Sequence, residues 1–190
     1  MIKKINNFIN GRFENSTSKT IPVWNPQNGE KLTEVICSSK KELNNAVSSA
    51  KSAFYKWSNI TLKERVDVFY EFRNELKNNI TSLANSICQE NGKTFEEARA
   101  EILKGIELTE FACSMPQIIH DEIQEVSRGV ECRSSHVPLG IVASITPFNF
   151  PIMVPMWTIP NAIVLGNCMI LKPSEQTPVG ASKIAELLKK

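Results

Sequence analysis

Two short apolar runs near the end of the chain, Ile141–Ile145 and residues 168–171, constrain the fold more than any other feature. So little polarity is typical of strands that are covered on both faces of a sheet. The residues between the runs predict a helix, because Pro151 can open one and Gly166 can end it. Two strands joined through a helix are expected to lie parallel. The pattern therefore predicts an α/β fold that begins a parallel sheet.

Upstream of this unit the sequence predicts helices with local start signals. A Ser or Thr followed three residues later by Glu can form a capping box, in which each side chain satisfies a backbone N–H of the first turn. Three such pairs occur, namely Ser39 with Glu42, Thr61 with Glu64, and Thr94 with Glu97. A further helix is expected from Thr81 to a glycine stop at Gly92, and Pro116 is expected to end the helix that follows or to lie near its end. Thr177 before Pro178 predicts an N-cap and the start of the last helix.

Residues 121–137 differ from their surroundings, because their polarity alternates and they contain a turn signal at Gly129. This pattern predicts an exposed β-hairpin. An Asn-Gly dipeptide at residues 10–11 lies between apolar residues and predicts another hairpin. The chain thus divides into residues 1–120, the hairpin 121–137, and a β-α-β-α unit at 138–190.

Composition argues against several function classes. The formal net charge is +2 with both signs mixed along the chain, so no nucleic-acid partner is expected. The longest apolar stretch, residues 152–165, contains two prolines and is too short to span a bilayer, so no membrane partner is expected. The first lysines precede no apolar run, so we predict no secretory signal and expect a cytoplasmic or organelle-matrix protein.

The chain contains five scattered cysteines: Cys37, Cys88, Cys113, Cys132 and Cys168. An odd number without a Cys-x-x-Cys pair or paired histidines predicts neither a disulfide framework nor a metal site. None lies beside a candidate base in the sequence. We interpret them as buried or idle thiols and assign no nucleophile among them.

Two loops that follow the predicted parallel strands carry the candidate site residues. In open parallel sheets, ligands bind at the carboxyl ends of the strands. Asn149 follows the first strand, between two prolines that stiffen its loop, and its amide could donate to a developing oxyanion. The alternative is a turn asparagine that satisfies its own backbone.

The second loop holds Lys172 and Glu175, a donor and an acceptor at the end of the second strand. Ribose hydroxyls both donate and accept hydrogen bonds, so this pair suits a nucleotide ribose. The alternative is a solvated ion pair that contributes little free energy. The sequence contains no glycine-rich phosphate-binding motif.

Three segments in this order, residues 138–151, 162–167 and 171–175, resemble motifs of the aldehyde dehydrogenase superfamily. They contain Thr-Pro-Phe-Asn-Phe-Pro, Leu-Gly-Asn and Lys-Pro-Ser-Glu. Most members have Trp at the position of Phe148. The Phe found here resembles the motif of the CoA-acylating methylmalonate-semialdehyde dehydrogenase branch. The Gln-Glu-Asn-Gly-Lys segment at residues 89–93 is a further match, and the resemblance covers essentially the whole chain.

The resemblance implies the N-terminal portion of the aldehyde dehydrogenase fold, a helical segment followed by the start of a Rossmann-like parallel sheet, and an incomplete one. Residues 1–120 would be N-terminal strands and helices of the cofactor domain. Residues 121–137 would bridge subunits of a homo-oligomer, and residues 138–190 would form the first β-α-β-α of the NAD-binding sheet. The catalytic domain, with the attacking cysteine and general-base glutamate, lies further along in relatives. This chain alone is therefore expected to be inactive.

The resemblance also implies a role for each candidate residue. Asn149 matches the residue that stabilises the oxyanion formed from the aldehyde. Thr146 and Phe148 match positions on the nicotinamide side of the cofactor path. Lys172 and Glu175 match the pair that holds the adenosine ribose. Glu175 would repel a 2′-phosphate, which favours NAD over NADP.

The resemblance implies that the complete enzyme oxidises methylmalonate or malonate semialdehyde to an acyl-CoA, with NAD as cofactor and CoA as co-substrate. Two departures bear on this substrate. Gln176 stands where the branch typically has arginine, and Lys104 replaces an arginine implied to hold the substrate carboxylate, which removes its bidentate fork. The alternatives are a hydrolytic semialdehyde dehydrogenase of another branch and an inactive truncated fragment, whose open sheet edge would at most bind a partner.

Overall fold

A computed structural model describes residues 4–189 of the chain. The elements follow in chain order: β1 (Phe8–Ile9), β2 (Arg12–Phe13), β3 (Thr20–Trp24), β4 (Lys31–Ile36), α1 (Lys40–Trp57), α2 (Leu62–Asn78), α3 (Ile80–Asn91), α4 (Phe95–Cys113), α5 (Met115–Ile118), β5 (Glu122–Ser127), β6 (Val130–Ser134), β7 (Ile141–Ile145), α6 (Met153–Val164), β8 (Cys168–Lys172) and α7 (Pro178–Lys189). This order confirms the α/β class and the succession of a strand, a helix, a strand and a helix at its end.

The predicted capping boxes begin α1, α2 and α4. In the first, the Ser39 hydroxyl accepts from the Glu42 amide, and the Glu42 carboxylate accepts from the Ser39 amide. The same carboxylate also accepts from the hydroxyls of Ser16 and Ser18, at 2.6 and 2.8 Å. These hydrogen bonds, the one from Ser16 first, lower the pKa of Glu42 to about 2. The cap therefore also ties the N-terminal segment to α1.

Two prolines lie close to helix boundaries. Pro116 lies near the end of the fourth helix, which was one of its two predicted places: α4 ends at Cys113, and Pro116 lies in the first turn of the short helix α5. A missing N–H is harmless there, since the first turn has no intrahelical acceptor for it. Pro151 does not open α6, which begins at Met153 after a turn.

The core lies where α2, α3, α4 and α6 pack together. These helices bury apolar side chains from each of their inner faces, including Phe69, Leu76, Leu83, Ile87, Ile102 and Met156. Gly105 allows the close approach of α4 and α6, because a Cβ at this position would lie 3.1 Å from the Met156 Cγ. This packing places α3 and α4 directly behind the loop that leads into α6.

β7 and β8 pair in parallel, with Ile141 opposite Cys168 and Ile145 opposite Lys172. The amide of Thr146 donates to the Lys172 carbonyl at 3.1 Å, which continues the pairing beyond the end of β7. The two strands were predicted to be covered on both faces of the sheet. They are only partly covered, because the Ile145 side chain at the end of β7 is 79% exposed. Since the strands are parallel, the loops that follow them leave the sheet at the same edge.

β5 and β6 form the predicted exposed hairpin, with every residue of both strands exposed and Gly129 at φ +73° in the turn. Three of its exposed side chains are apolar: Ile123, Val126 and Val130. The predicted Asn-Gly hairpin is also present, as β1 and β2. No helix among residues 4–189 is both long and apolar enough to cross a membrane.

Candidate functional site

The five predicted site residues lie at one edge of the β7–β8 pair, where both strands have their carboxyl ends. Thr146 directly follows β7, and Phe148 and Asn149 lie in the loop before α6. Lys172 is the last residue of β8, and Glu175 lies in the loop before α7. The strand order therefore confirms that the two predicted loops share an edge, while the roles of their residues stay predictions.

Lys172 and Glu175 form an ion pair at this edge, with 3.0 Å between Nζ and Oε2. Their side chains are 58% and 51% exposed. A hydrogen bond from its own backbone amide, and then the Lys172 ammonium, lower the pKa of Glu175. An exposed pair of this kind contributes little to stability. Its donors and acceptors therefore remain accessible to hydroxyl groups of a ligand.

Thr146 holds a polar atom without a partner next to this pair. The residue is buried, and its Oγ1 makes no hydrogen bond within the described part of the chain. A buried hydroxyl left unpaired is unfavourable by roughly 1–3 kcal/mol. The Thr146 hydroxyl is thus a buried, unpaired polar group at the carboxyl edge of the parallel pair.

The side chain of Asn149 is exposed, and its amide meets no hydrogen-bond partner among residues 4–189. It does not satisfy its own turn, which was the structural alternative for this residue. The backbone around it is held instead. Lys93 Nζ donates to the Asn149 carbonyl at 2.7 Å, and Asn91 Nδ2 donates to the Phe148 carbonyl at 2.9 Å.

The far end of the same loop is held by Glu101, a carboxylate in α4. Its Oε1 accepts from the amides of Ile152 and Met153 at 2.8 and 3.0 Å. Its Oε2 lies 2.6 Å from Lys93 Nζ, and the two side chains are 1% and 17% exposed. Lys93 Nζ also lies 3.9 Å from the centroid of the Phe150 ring, a distance that allows a cation–π contact.

Asn91, Lys93 and Glu101 were not assigned a role from the sequence. One signal was available, because Glu101 lies on the helical face that contains Ala98 and Gly105 and is buried with them. A carboxylate inside an apolar stripe of period 3.6 needs a buried partner. The sequence does not show which partner, since the amides that it binds lie 51 and 52 residues away.

The start of α7 shows a similar arrangement and corrects the prediction for Thr177. The Thr177 hydroxyl is buried and has no hydrogen-bond partner among the described residues, so it does not cap the helix. Glu90 in α3 accepts instead from the amides of Val179 and Gly180, at 2.6 and 2.8 Å. Burial raises the pKa of Glu90 to about 7, against the effect of these two hydrogen bonds.

Three of the five cysteines have thiols whose pKa is raised by burial. All five are free, and burial raises the pKa values of Cys88, Cys113 and Cys168, that of Cys113 to about 11. A reactive cysteine needs the opposite shift, towards the thiolate. Cys168 begins β8 and so lies at the other end of the strand from Lys172.

The two residues that depart from the methylmalonate-semialdehyde dehydrogenase pattern make only local contacts. Lys104 is exposed on α4, with its Nζ 2.5 Å from the Glu107 carboxylate. Gln176 lies in the loop before α7, where its amide donates to the Ser174 hydroxyl at 3.2 Å. Neither contact replaces the bidentate fork of an arginine.

Comparison with known proteins gives consistent matches. The sequence pattern of the aldehyde dehydrogenase family matches residues 13–190. Malonate-semialdehyde dehydrogenase 2 of Bacillus mycoides (strain KBAB4) is 41% identical over 190 residues, which are 99% of this chain and 39% of that protein. Malonate-semialdehyde dehydrogenase 1 of Geobacillus kaustophilus (strain HTA426) is 42% identical over 185 residues, which are 96% of this chain and 38% of that protein.

Solved structures agree with these matches. A protein from Sinorhizobium meliloti 1021, assigned as a methylmalonate-semialdehyde dehydrogenase and complexed with NAD, superimposes with a TM-score of 0.96 at 38% identity, over 99% of this chain and 39% of that one. Methylmalonate-semialdehyde dehydrogenase from Oceanimonas doudoroffii gives a TM-score of 0.96 at 38% identity, over 98% of this chain and 38% of that one.

The chain spans about 39% of the length of the curated relatives that it matches. Its fold is therefore the N-terminal portion of the aldehyde dehydrogenase fold, in agreement with the expectation from its motifs. The match of the family pattern over residues 13–190 leads to one conclusion: the chain belongs to the aldehyde dehydrogenase family.

Proposed function

We propose that this chain supplies cofactor-side and oxyanion-side residues to the NAD-dependent oxidation of malonate or methylmalonate semialdehyde to an acyl-CoA. One observation carries the proposal: the Asn149 loop and the Lys172–Glu175 pair leave the sheet at the same carboxyl edge. The names of the relatives supply the substrate class, and the Sinorhizobium protein was solved with NAD.

The residues at this edge fit NAD in their chemistry. The Lys172–Glu175 pair offers a donor and an acceptor to ribose hydroxyls, and the charge of Glu175 opposes a 2′-phosphate. The unpaired hydroxyl of Thr146 and the exposed ring of Phe148 would face the nicotinamide side. When bound, NAD supplies the acceptor for the hydride.

Asn149 would act on the aldehyde itself. Its amide is exposed and uncommitted, while its backbone is held by Lys93, so the N–H can donate to the carbonyl oxygen as negative charge develops there. Burial raises the pKa values of Cys88, Cys113 and Cys168, which disfavours their thiolates. We place the attacking thiolate and its general base outside these residues, as the resemblance to the family implies.

The division of the chain follows from the same proposal. Residues 1–120 and 138–190 would belong to the cofactor domain, and residues 121–137 would bridge subunits of a homo-oligomer. The exposed apolar side chains of Ile123 and Val126 support this role, because burial against a second subunit removes them from water.

The acceptor of the acyl group separates two candidate functions. Phe148 favours the CoA-acylating branch. The replacement of arginine by Lys104 and Gln176 keeps a hydrolytic semialdehyde dehydrogenase as the second candidate. The two candidates differ in their product, which is an acyl-CoA in the first and a free acid in the second.

The test measures NADH formation by the full polypeptide that contains these residues, with malonate semialdehyde, methylmalonate semialdehyde or propanal, each with and without CoA. We expect reduction of NAD to NADH without reduction of NADP to NADPH, a requirement for CoA, and an acyl-CoA product by mass spectrometry. A free acid formed equally well without CoA would select the hydrolytic candidate. No NADH with any of the three aldehydes would contradict both.

The same assay tests the role of Asn149. Removal of one oxyanion donor lowers kcat by about 100- to 1,000-fold in enzymes of this kind of chemistry. We expect a loss in this range for Asn149→Ala. Asn59→Ala is the matched control. Asn59 follows α1, and its side chain donates to the Tyr55 carbonyl within that helix. Equal kcat in the two variants would remove Asn149 from the reaction.

A further inference from the structure

We propose that Lys93 is a positioning residue, which acts with Asn91 and Glu101 to hold the loop of residues 146–152 so that the Asn149 amide points at the reacting carbonyl. The inference rests on the proposed function, because it concerns the residue that would donate to the oxyanion.

The loop is bound by side chains on both sides of Asn149. Two successive carbonyls, of Phe148 and Asn149, accept from Asn91 and Lys93. Further along, two successive amides donate to Glu101. The anchoring side chains come from the last residue of α3, from the α3–α4 connection and from the second turn of α4. One corner of the helical layer therefore holds the loop at its middle and at its end.

Lys93 is the central member of this group. Its ammonium contacts the Asn149 carbonyl, the Glu101 carboxylate and the Phe150 ring, at 2.7, 2.6 and 3.9 Å. It is thus the residue that joins Glu101 to the loop carbonyls. Without it, the Asn149 carbonyl loses its donor and Glu101 loses its only close cation among residues 4–189.

The backbone on either side of Lys93 is itself restrained. Gly92, at φ +85°, ends α3 in the left-handed conformation that glycine adopts without strain. Thr94 then caps α4 together with Glu97. Lys93 therefore lies between a C-cap and an N-cap, and its side chain starts from a fixed point.

This matters for catalysis because no described residue holds the Asn149 side chain directly. The backbone fixes the point from which the Asn149 side chain starts, and Lys93, together with Asn91, holds that backbone. Oxyanion stabilisation depends steeply on the position of the donor, so that a displacement of about 1 Å can lower a rate by roughly 100-fold.

A double-mutant cycle between Lys93→Met and Asn149→Ala tests the inference in the full polypeptide. We expect Lys93→Met alone to lower kcat by about 10- to 100-fold, with the KM for NAD changed by less than about twofold. In the Asn149→Ala background, the same substitution should cause almost no further loss, because the donor that it positions is gone. Losses that multiply would mean that Lys93 does not act through Asn149, and would overturn the inference.

Lys183→Met is the matched control, because Lys183 also donates from its Nζ to a distant backbone carbonyl, that of Ser82 at 3.1 Å. We expect it to leave kcat within about twofold of the wild type and to show no coupling to Asn149→Ala.

Hydrogen exchange followed by mass spectrometry tests the loop without relying on activity. Lys93→Met should speed the exchange of the amides of residues 148–150, 152 and 153, and Lys183→Met should not. Unchanged exchange in a folded Lys93→Met protein would overturn the inference. If the wild-type protein oxidises no aldehyde, the proposed function fails, and this measurement still decides whether Lys93 holds the loop.

Discussion

The carboxylate of Glu90 in α3 accepts a hydrogen bond from the amide of Gly180 in α7 at 2.8 Å, across 90 residues of sequence. A helix leaves its first N–H groups without intrahelical partners, and a nearby side chain usually satisfies them. Here a carboxylate from another helix does so, while the hydroxyl of Thr177 stays unpaired within the described residues. Gly180 makes the contact possible, since a Cβ there would lie 3.0 Å from Glu90 Oε1.

Glu90→Gln should destabilise the protein at pH 5. A carboxamide has one oxygen acceptor, so one of the two amides that Glu90 satisfies would face an NH₂ group instead. An unsatisfied buried donor is unfavourable by about 1–3 kcal/mol. Urea unfolding measures the difference, with Glu186→Gln on the exposed face of α7 as the control. Equal unfolding free energies for the two variants would contradict this role.

The stability contributed by Glu90 should fall as the pH rises. Burial raises its pKa from 4.5 to about 7, so between these pH values the folded state holds a proton that the unfolded chain has lost. The contribution is complete below pH 4.5 and is lost as the pH passes 7. Glu101 adds to this shift and Lys183 opposes it.

Unfolding free energies at pH 5 and pH 8, for wild type and Glu90→Gln, measure this effect. The stability advantage of the wild type should shrink by up to roughly 3 kcal/mol at the higher pH. An advantage that stays constant or grows with pH would show that Glu90 is already ionised in the folded protein at pH 5.

Gly166→Ala should be far more destabilising than Gly129→Ala. Both glycines have left-handed backbones, at φ +90° and +73°, so alanine is strained at either position by about 1–2 kcal/mol. At Gly166 a Cβ would also lie 2.7 Å from the Pro138 Cγ, whereas nothing lies within 4 Å at Gly129. The clash should add about 1–3 kcal/mol. Denaturant unfolding of both variants measures the difference, and similar losses would show that the Pro138 ring moves aside freely.

Glu175→Gln should relax the proposed preference for NAD over NADP. The pKa of Glu175 is lowered, so its carboxylate is charged near neutral pH and would repel a 2′-phosphate at the ribose. Loss of this charge should raise the ratio of kcat/KM for NADP to that for NAD by about 10-fold, which corresponds to about 1.4 kcal/mol. Glu71→Gln, on the exposed side of α2, is the control. An unchanged ratio would place the ribose elsewhere.

Much of the local structure could be predicted because its contacts span three or four residues. Ser39 and Glu42 meet across a single helical turn, and so do Thr94 and Glu97. Gly92 ends α3 because a left-handed C-cap strongly favours glycine. The common edge of the Asn149 and Lys172 loops followed from the parallel strands alone.

The residues that hold this edge could not be predicted in the same way. Glu90, Lys93 and Glu101 bind backbone groups that lie between 51 and 90 residues away. A buried carboxylate can be recognised from its place in an apolar stripe, but its partner depends on which helix ends pack against it. The failure of Thr177 as a cap has the same cause, because a distant side chain occupies the amides that it would bind.

The sequence by itself therefore determined where most helices and strands begin and end, which two strands are parallel, and which loops share an edge. These features depend on backbone hydrogen bonds and side-chain periodicity within a few residues. Only the tertiary structure decided which buried charges meet which helix ends, and so how the Asn149 loop is held. Those pairings form when α3 and α4 pack behind α6 and α7. They are specific because a buried carboxylate or amide that is left without a partner destabilises the fold.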